Sequence, residues 1–561
     1  MSEKSRKVLK WILIIVSALA AIKLIFVDYT LDEEYQIVMA YRQISGDALF
    51  GTMWEPHQTS AFGCYFIMLL YHFLFRTYDG VIIFVRVVTT LIQFGLSVWI
   101  YKVLKSKTKK EYAFLLAIIY FNIVPKLIQI PEFSNMQLWF FTITVLALMN
   151  AYAKTKNNFG WIVLAGVGMS LEVLSYPSML LIFPVFVICI VFLAKGKKKF
   201  FDNLVFAGTC GVCGALWLLL VCSKVGFSDF IRNVKYILDF DATHNLNVSE
   251  QTKGMVVLSE LGETMINFGI IIALSAATYF IVKRVAKKKV PLEAFMILFA
   301  ELDQLFYWLV LQKGYEKPQI LSLVCLLIPF FYAKKLWKKN RLLLPGILGS
   351  YAVVAAVLYT SDLGIWNALA TGTLGMIWGL MILIDEMDAT EEVNRWLVVV
   401  LMSLAIVCAF GKGFTVKGGK TPTNTILGVR NVMKNGPSKF IFCHYMQGYI
   451  MDCDYEDFEA NVPDNAKVLI VTNMFEGAET TPYMFGDYEV CHFSIVDPTT
   501  YDEKLLTYWE LYPEKQPDII VVDCWYGTLQ EDPENWIMQY IENDFGYSES
   551  ADGRYVRFYK K

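Results

Sequence analysis

The stretch MSEKSRKVLKWILIIVSALAAIKLIFVDYTLDEE (residues 1–34) sets out the organisation of this chain. A basic N-terminus precedes an apolar run at 11–27, which is long enough to cross about 30 Å of hydrocarbon as a helix. No small-residue cleavage pattern follows the run, as it would in a removed signal peptide. Because Lys and Arg collect on the cytoplasmic side, this start predicts a cytoplasmic N-terminus and an acidic external segment.

The composition of the whole chain is that of a membrane protein. Of its 561 residues, 56% are hydrophobic and only 18% are charged. The mean hydropathy is +0.45. These values exclude a soluble cytosolic enzyme and a disordered chain.

The net charge of −2 conceals two parts of opposite sign. Residues 1–412 carry 38 Lys and Arg against 28 Asp and Glu, a net charge of +10. Residues 413–561 carry 12 against 24, a net charge of −12. Such asymmetry indicates two environments, and we predict a transmembrane domain at 1–412 and an extracytoplasmic soluble domain at 413–561.

The apolar runs predict a polytopic α-helical membrane protein with about 13 transmembrane helices. Their approximate cores are 11–27, 81–101, 112–129, 136–153, 160–176, 178–194, 203–222, 265–282, 291–311, 319–333, 342–360, 366–384 and 396–411. Clusters of Lys and Arg occur at alternate connections, which places the C-terminal domain outside. Residues 62–75 are apolar but short, so we interpret them as an interfacial or re-entrant helix within one external loop, 28–80.

The C-terminal part alternates between two patterns. AKVLIVTN (466–473) and DIIVVDCW (518–525) are typical of buried parallel strands. YDEKLLTYWELYP (501–513) and DPENWIMQYIEND (532–544) are typical of amphipathic helices. Strands that alternate with helices predict a small α/β layer.

The first external loop carries the strongest chemical signal. Three acids, Asp32, Glu33 and Glu34, follow the first span. A helix comes next, and its apolar face at helical spacing consists of Ile37, Ala40, Tyr41 and Ile44. Gly46-Asp47 ends that helix, and Trp54-Glu55-Pro56-His57 follows. Acids in a first helical turn also favour the helix dipole, so capping is the structural alternative, and we expect Glu34 to be a surface or capping residue.

This ordered set resembles the GT-C superfamily of polyprenyl-phosphate-sugar-dependent glycosyltransferases. The most similar branch is the protein O-mannosyltransferase and aminoarabinose-transferase group, in which an Asp-Glu pair opens the first external loop. A Gly-Asp turn and a Glu-Lys-Pro or similar element follow there; here no Lys lies within Glu55-Pro56. The resemblance implies an enzyme of the cell membrane that moves a sugar from a polyprenyl-phosphate donor to an extracytoplasmic acceptor: a cell-wall polymer, a glycolipid or a protein.

The resemblance also implies roles for individual residues. Asp32 would be the general base, and Glu33 and Glu55 would support it or orient the acceptor. Lys313 or Lys317, in the external loop between spans nine and ten, would approach the lipid phosphate. The alternative for either Lys is an ordinary interfacial residue whose charge extends to the headgroups.

Further polar residues are candidates for substrate contact. Glu132 and Glu172 lie near external helix ends, and charged residues within spans usually line cavities. Arg232 and His244 belong to a polar loop at 223–258 that could shape a substrate site, with a solvated loop as the alternative. His57 follows the Glu-Pro element and is a candidate donor contact.

Other functional classes have weaker support. A divalent metal on Asp32, Glu55 and His57 is possible, but we predict no metal or other cofactor, because the family branch generally works without one. No basic, aromatic-interleaved patch indicates nucleic-acid binding. A transporter or flippase of a lipid-linked glycan is the alternative function; Glu301 and Asp303 within a span would suit it, but inverted-repeat hydropathy is not seen.

Overall fold

The structure is a computed structural model of the full chain. It describes residues 3–28, 31–55, 57–153, 158–239, 253–286, 292–309, 319–360, 365, 368, 371–387, 391–416, 425–471, 489–490, 502–523 and 536–561.

The described part is mostly helical, with strands confined to its C-terminal region. The helices are α1 Glu3–Phe26, α2 Leu31–Ile44, α3 Phe62–Phe75, α4 Val81–Leu104, α5 Lys110–Asn122, α6 Phe133–Ala153, α7 Phe159–Ser175, α8 Phe183–Leu193, α9 Lys198–Val225, α10 Phe227–Asp239, α11 Lys253–Ala286, α12 Leu292–Leu309, α13 Gln319–Phe331, α14 Ala333–Lys339, α15 Leu344–Thr360, α16 Thr373–Met387, α17 Glu391–Phe414, α18 Tyr445–Asn461, α19 Asp502–Leu511 and α20 Trp536–Tyr540. The strands are β1 Val429–Val432, β2 Phe442–His444, β3 Lys467–Val471, β4 Glu489–Val490, β5 Ile519–Asp523, β6 Glu549–Asp552 and β7 Val556–Lys560.

The helical part is that of a multi-pass membrane protein. Within the described ranges, seven helices are long and apolar enough to cross a membrane, and four more apolar helices are shorter. One of the seven, Gln58–Phe75, joins a short 3-10 turn to α3, so 18 residues are helical there. The helix predicted at 62–75 is confirmed, while its interfacial position and the total of 13 spans stay predictions.

The predicted span core at 112–129 is wrong in its second half. Helix α5 ends at Asn122, and Pro125 begins a short 3-10 turn. A proline disfavours helical backbone in the residue before it, which explains the early end. Lys126 and Leu127 then adopt left-handed backbone, with φ of 57° and 60°. The chain therefore reaches α6 through an irregular connection.

The first and last long helices end side by side. A Cβ on Gly413 of α17 would lie 3.3 Å from the Cα of Ala20 on α1. Just beyond, Val27 bridges Phe442 of β2, and the Asp28 amide donates to the Phe442 carbonyl at 2.9 Å. We call strands β1–β7 with helices α18–α20 the C-terminal layer. The first loop and the C-terminal layer therefore lie on the same side of the helical bundle.

Among the described residues, the larger C-terminal sheet has five strands in the order β4-β3-β5-β7-β6. The predicted parallel pair is confirmed: β3 and β5 are neighbours, with Val468 opposite Ile519 and Val471 opposite Val522. Strand β7 adds to β5 in the antiparallel direction. Val, Ile and Leu run without alternation through β3 and β5 because both faces of a parallel pair are covered.

Residues of the first loop pack on both faces of this sheet. On one face, Val38 of α2 packs with Val468, Ile470 and Val521. On the other, Trp54 packs with Leu469. The hydrophobic cores of the C-terminal layer and of the first loop are therefore shared, although more than 400 residues separate them in sequence.

Candidate functional site

The site begins where the chain leaves α1. Asp32 and Glu33 lie in the first turn of α2, as the sequence predicts. Ile37, Ala40 and Tyr41 are buried in one cluster, which confirms the apolar face expected from their spacing. The side chain of Asp32 lies outside the described residues.

Glu34 does not lie on the surface, so that half of the prediction is wrong, and the capping role stays a prediction. The exposed fraction of Glu34 is 0%, and so is that of Val38, one turn further along α2. A helix in a loop is normally exposed on one face, but α2 is also covered by the C-terminal sheet. The contact with the C-terminal sheet cannot be predicted from the local spacing of apolar residues.

Glu33 forms a buried ion pair with Arg86 of α4. The Nε of Arg86 donates to one carboxylate oxygen at 2.6 Å, and its Nη2 donates to the other at 2.5 Å. The same guanidinium donates to the carbonyls of Ile25 at 3.1 Å and Asp28 at 2.6 Å. Because a two-point contact fixes orientation as well as distance, Arg86 holds together the end of α1, the linker and the first turn of α2.

Glu55 and Asp47 share a second buried cation, Arg42 at the end of α2. Arg42 donates to Glu55 from Nη1, to Asp47 from Nε at 2.6 Å, and to the Thr52 carbonyl from Nη2 at 2.6 Å. The exposed fractions of Arg42 and Glu55 are both 1%. Burial by itself would lower the pKa of Arg42, but the two carboxylates outweigh it and raise that pKa well above its usual value.

The C-terminal layer supplies a fourth charged residue, Lys515, to this cluster. Lys515 contacts Asp47 at 2.8 Å, and the Tyr508 hydroxyl donates to the Thr52 carbonyl at 2.8 Å. Burial would raise the pKa of Asp47, but Arg42 and Lys515 together hold it below its usual value. We call Arg42, Asp47, Glu55 and Lys515 the loop charge cluster.

Trp54 anchors the same loop through aromatic contacts. Its ring stacks on Tyr236 of α10 at 5.5 Å and meets Tyr508 edge-on at 5.4 Å. Its indole N–H donates to the Gly51 carbonyl at 2.9 Å. The tryptophan is fully buried, so α10, the loop and the C-terminal layer meet at this residue.

His57 follows Pro56 in left-handed backbone, with φ of 59°. Its ring stacks on Phe133 at 4.3 Å and on Tyr176 at 5.4 Å. The ammonium of Lys126 lies 4.2 Å from the centroid of the same Phe133 ring. The irregular connection before α6 thus brings the cationic side chain of Lys126 to the same Phe133 ring that His57 contacts.

Glu132 and Glu172 lie in the helical bundle beneath this loop, and both are fully buried. Glu132 accepts the Asn135 amide at 2.9 Å at the start of α6, which satisfies one unpaired donor of that helix. Glu172 of α7 accepts a bond of 3.1 Å from the Gln137 side chain of α6. Glu132 therefore has a capping contact, and Glu172 joins two helices.

The remaining candidate residues lie apart from this arrangement or outside the described part. Arg232 pairs with Asp229 at 3.0 Å on the exposed side of α10. His244, Lys313 and Lys317 lie outside the described residues. Within the described part, no group of three or more His, Cys, Asp and Glu side chains could hold a metal ion.

Two arginines that are buried in the described part of the chain, Arg42 and Arg86, are not among the site residues predicted from the sequence. Arg86 lies six residues into an apolar span, where a charge is costly and marks a function or a partner. That signal was available. The sequence signal for Arg42 is weaker, since Arg42 is one of two arginines in a loop with seven acids. Only the fold identifies which of these acids it neutralises.

Comparisons with known proteins give structural likenesses only. No protein-family model and no curated protein matches the chain. The Archaeoglobus fulgidus oligosaccharyltransferase, solved with zinc and sulfate, aligns over 97% of this chain and 72% of its own, with 9% identity and a TM-score of 0.45. ArnT from Cupriavidus metallidurans, bound to undecaprenyl phosphate, aligns over 100% and 98%, with 11% identity and a TM-score of 0.42.

Proposed function

We propose that this protein is an inverting glycosyltransferase that moves a sugar from a polyprenyl-phosphate donor to an acceptor outside the cytoplasm. The observation that carries the proposal is the pairing of the loop carboxylates. Glu33 is bound at both oxygens by Arg86, and Glu55 is bound by Arg42. We therefore assign these two acids to holding the loop in its conformation. Asp32, beside Glu33 in the first turn of α2, is the proposed base.

The proposed reaction is a single displacement. An acceptor hydroxyl oxygen attacks the anomeric carbon as the bond from that carbon to the phosphate oxygen breaks. Asp32 takes the hydroxyl proton, and the polyprenyl phosphate leaves with the electron pair of the broken bond. A phosphate is already a good leaving group, so the chain's main tasks are deprotonation and stabilisation of the released charge.

Side chains that carry a positive charge or donate a hydrogen bond are the proposed contacts for the donor phosphate. Lys313 and Lys317 keep the role that the resemblance implies for them. His57 is the third proposed contact, and its support is its place directly after the Glu55-Pro56 element and on the Phe133 ring that Lys126 also contacts. Glu132, Glu172, Arg232 and His244 stay predictions as substrate contacts.

Asp32→Asn tests the base assignment directly. We expect transfer to fall by at least about 10²-fold, because positioned general bases contribute roughly 10²–10⁴. Purified full-length protein would be assayed with a panel of polyprenyl-phosphate donors carrying labelled sugars, and size-exclusion chromatography would establish folding. Asp79→Asn, in the same loop but half-exposed, is the matched control and should stay active. Near-normal transfer by Asp32→Asn would overturn the assignment.

Arg86→Lys tests whether Arg86 positions the first turn of α2. Lysine keeps the charge but cannot bind both oxygens of Glu33 and two carbonyls at once. We expect kcat to fall by about 10²-fold with little change in KM, because small misplacements of a reacting group have effects of this size. Arg557→Lys, which alters a surface pair with Asp552, is the control. A raised KM with an unchanged kcat would contradict a positioning role.

A further inference from the structure

Six large apolar or aromatic side chains stand exposed along one edge of the C-terminal layer. The edge is formed by the approach to β1, by β2 and by the first turns of α18, and each of the six is at least 40% exposed. We call these residues the aromatic edge: Leu427, Phe440, Phe442, Tyr445, Met446 and Tyr449. Apolar exposure of this extent is unusual on the water-facing surface of a folded domain and marks a contact surface.

The aromatic edge adjoins the ends of two spanning helices. The Phe442 carbonyl accepts the amide of Asp28, two residues beyond the end of α1. The carbonyl of Gly436 accepts the amide of Gly80 at 3.0 Å, directly before α4 begins. Since the ends of spanning helices lie near the boundary between lipid and water, the segment 436–442 lies near that boundary as well.

The backbone at Phe440 adopts an unfavourable conformation that keeps this part of the edge exposed. Phe440 has φ of 75°, which is unfavourable for a residue with a side chain. Met433 and Ile441 are buried next to it, and the Phe440 amide donates to the Met433 carbonyl at 2.8 Å. The buried neighbours therefore fix the turn, and Phe440 is 58% exposed.

The chemistry of the edge suits phospholipid headgroups. The ammonium of Lys439 lies 5.6 Å from the Phe440 ring and pairs with Asp79 at 3.0 Å. Tyr445 and Tyr449 stack at 6.2 Å with nearly parallel rings. Aromatic rings with a polar tip, together with lysines, are the side chains that collect at membrane interfaces.

We propose that the aromatic edge rests in the headgroup region of the surrounding bilayer and docks the C-terminal layer on the membrane surface. The molecules that we propose to contact the aromatic edge are bulk phospholipids. The proposal concerns membrane contact alone, and it stands or falls independently of the transfer reaction.

Photocrosslinking in the full-length protein tests this contact. Benzoylphenylalanine would replace Phe440 in one variant and Tyr445 in another, and each protein would be irradiated in phospholipid nanodiscs. Two matched positions calibrate the assay. Phe94 on α4 is 56% exposed within a span and should crosslink to lipid. Tyr547, an exposed aromatic beside β6 in the same layer, provides the comparison outside the edge.

Intact-mass spectrometry would report the adducts. We expect several-fold more phospholipid adduct at 440 and 445 than at 547, with position 94 positive. Lipid adduct at 94 but at neither 440 nor 445 would overturn the proposal. A crosslinked dimer in place of lipid adducts would also overturn it and assign the edge to a second copy of the chain.

Discussion

Replacing Arg42 by Met should destabilise the protein by roughly 3–5 kcal/mol, because removal of one member of a buried ion cluster leaves buried charge without its partner. Asp47 and Glu55 both bind this guanidinium, and the exposed fractions of the two carboxylates are 7% and 1%. Methionine fills a similar volume but donates no hydrogen bond. We therefore expect a large fall in the temperature at which the purified protein loses monodispersity, together with loss of transfer.

The pH dependence of this loss identifies its electrostatic origin. In the unmodified protein the pKa of Asp47 is lowered by Arg42 and Lys515. Its pairing therefore stabilises the fold above the unfolded pKa of about 4, and this contribution disappears as the pH falls through the lowered folded value. Without Arg42 the Asp47 carboxylate loses one of the two cations that lower its pKa, so it becomes easier to protonate. The difference in stability between the two proteins should be largest near neutral pH and should shrink in acid.

Two further variants separate charge from packing. Arg557→Met removes an exposed arginine that pairs with Asp552 and should change stability little. Adding Asp47→Asn and Glu55→Gln to Arg42→Met should recover part of the lost stability, because neutral amides need no cation. Equal stability of Arg42→Met and the unmodified protein at neutral pH would show that the loop charge cluster does not hold the loop.

Replacing Trp54 by Ala should cost roughly 3–5 kcal/mol, the range for removal of a large buried aromatic side chain. The loss of stability should be concentrated where the first loop, α10 and the C-terminal layer meet. The Trp54 ring contacts Tyr236 of α10 and Tyr508 of the C-terminal layer, so the cavity would open between three separate parts of the chain. We expect faster limited proteolysis within the C-terminal layer and a lower kcat.

The controls for Trp54 use the same residue type and the same site. Trp11→Ala removes a tryptophan that is 64% exposed on α1 and should leave the proteolysis rate of the C-terminal layer unchanged. Trp54→Phe keeps an aromatic ring and should be milder than Trp54→Ala. A Trp54→Ala protein with normal proteolysis and normal transfer would mean that the C-terminal layer and the first loop are not coupled through this contact.

Local patterns predicted many of the elements because their signals are short-range. The spacing of Ile37, Ala40 and Tyr41 predicted the buried face of α2, and the apolar run at 62–75 predicted α3. The two Val- and Ile-rich runs predicted the parallel pair β3 and β5. The predicted span at 112–129 is wrong because a proline interrupts the helix within an apolar run. The run continues past Pro125, but the helix ends before it.

The sequence predicted the centre of the site as a set of acids in one loop, with polar and basic candidates elsewhere in the chain. Sequence identifies Asp32, Glu33 and Glu55 as carboxylates near a membrane surface, but not which of them are neutralised. Arg86 lies 53 residues from Glu33, and Lys515 belongs to the other end of the chain from Asp47. Ion pairing at such separations depends on how the helices pack, which no local pattern encodes.

The sequence by itself determined the class of the protein: apolar runs and alternating basic clusters specify a membrane-embedded bundle, and one acidic loop marks the candidate site. These properties follow from hydrophobic transfer and charge distribution, which depend on composition and short-range order. Only the tertiary structure decided that the first loop and the C-terminal layer share one core through Val38 and Trp54. Burial of those side chains requires surfaces from both parts at once, so neither part contains the information alone.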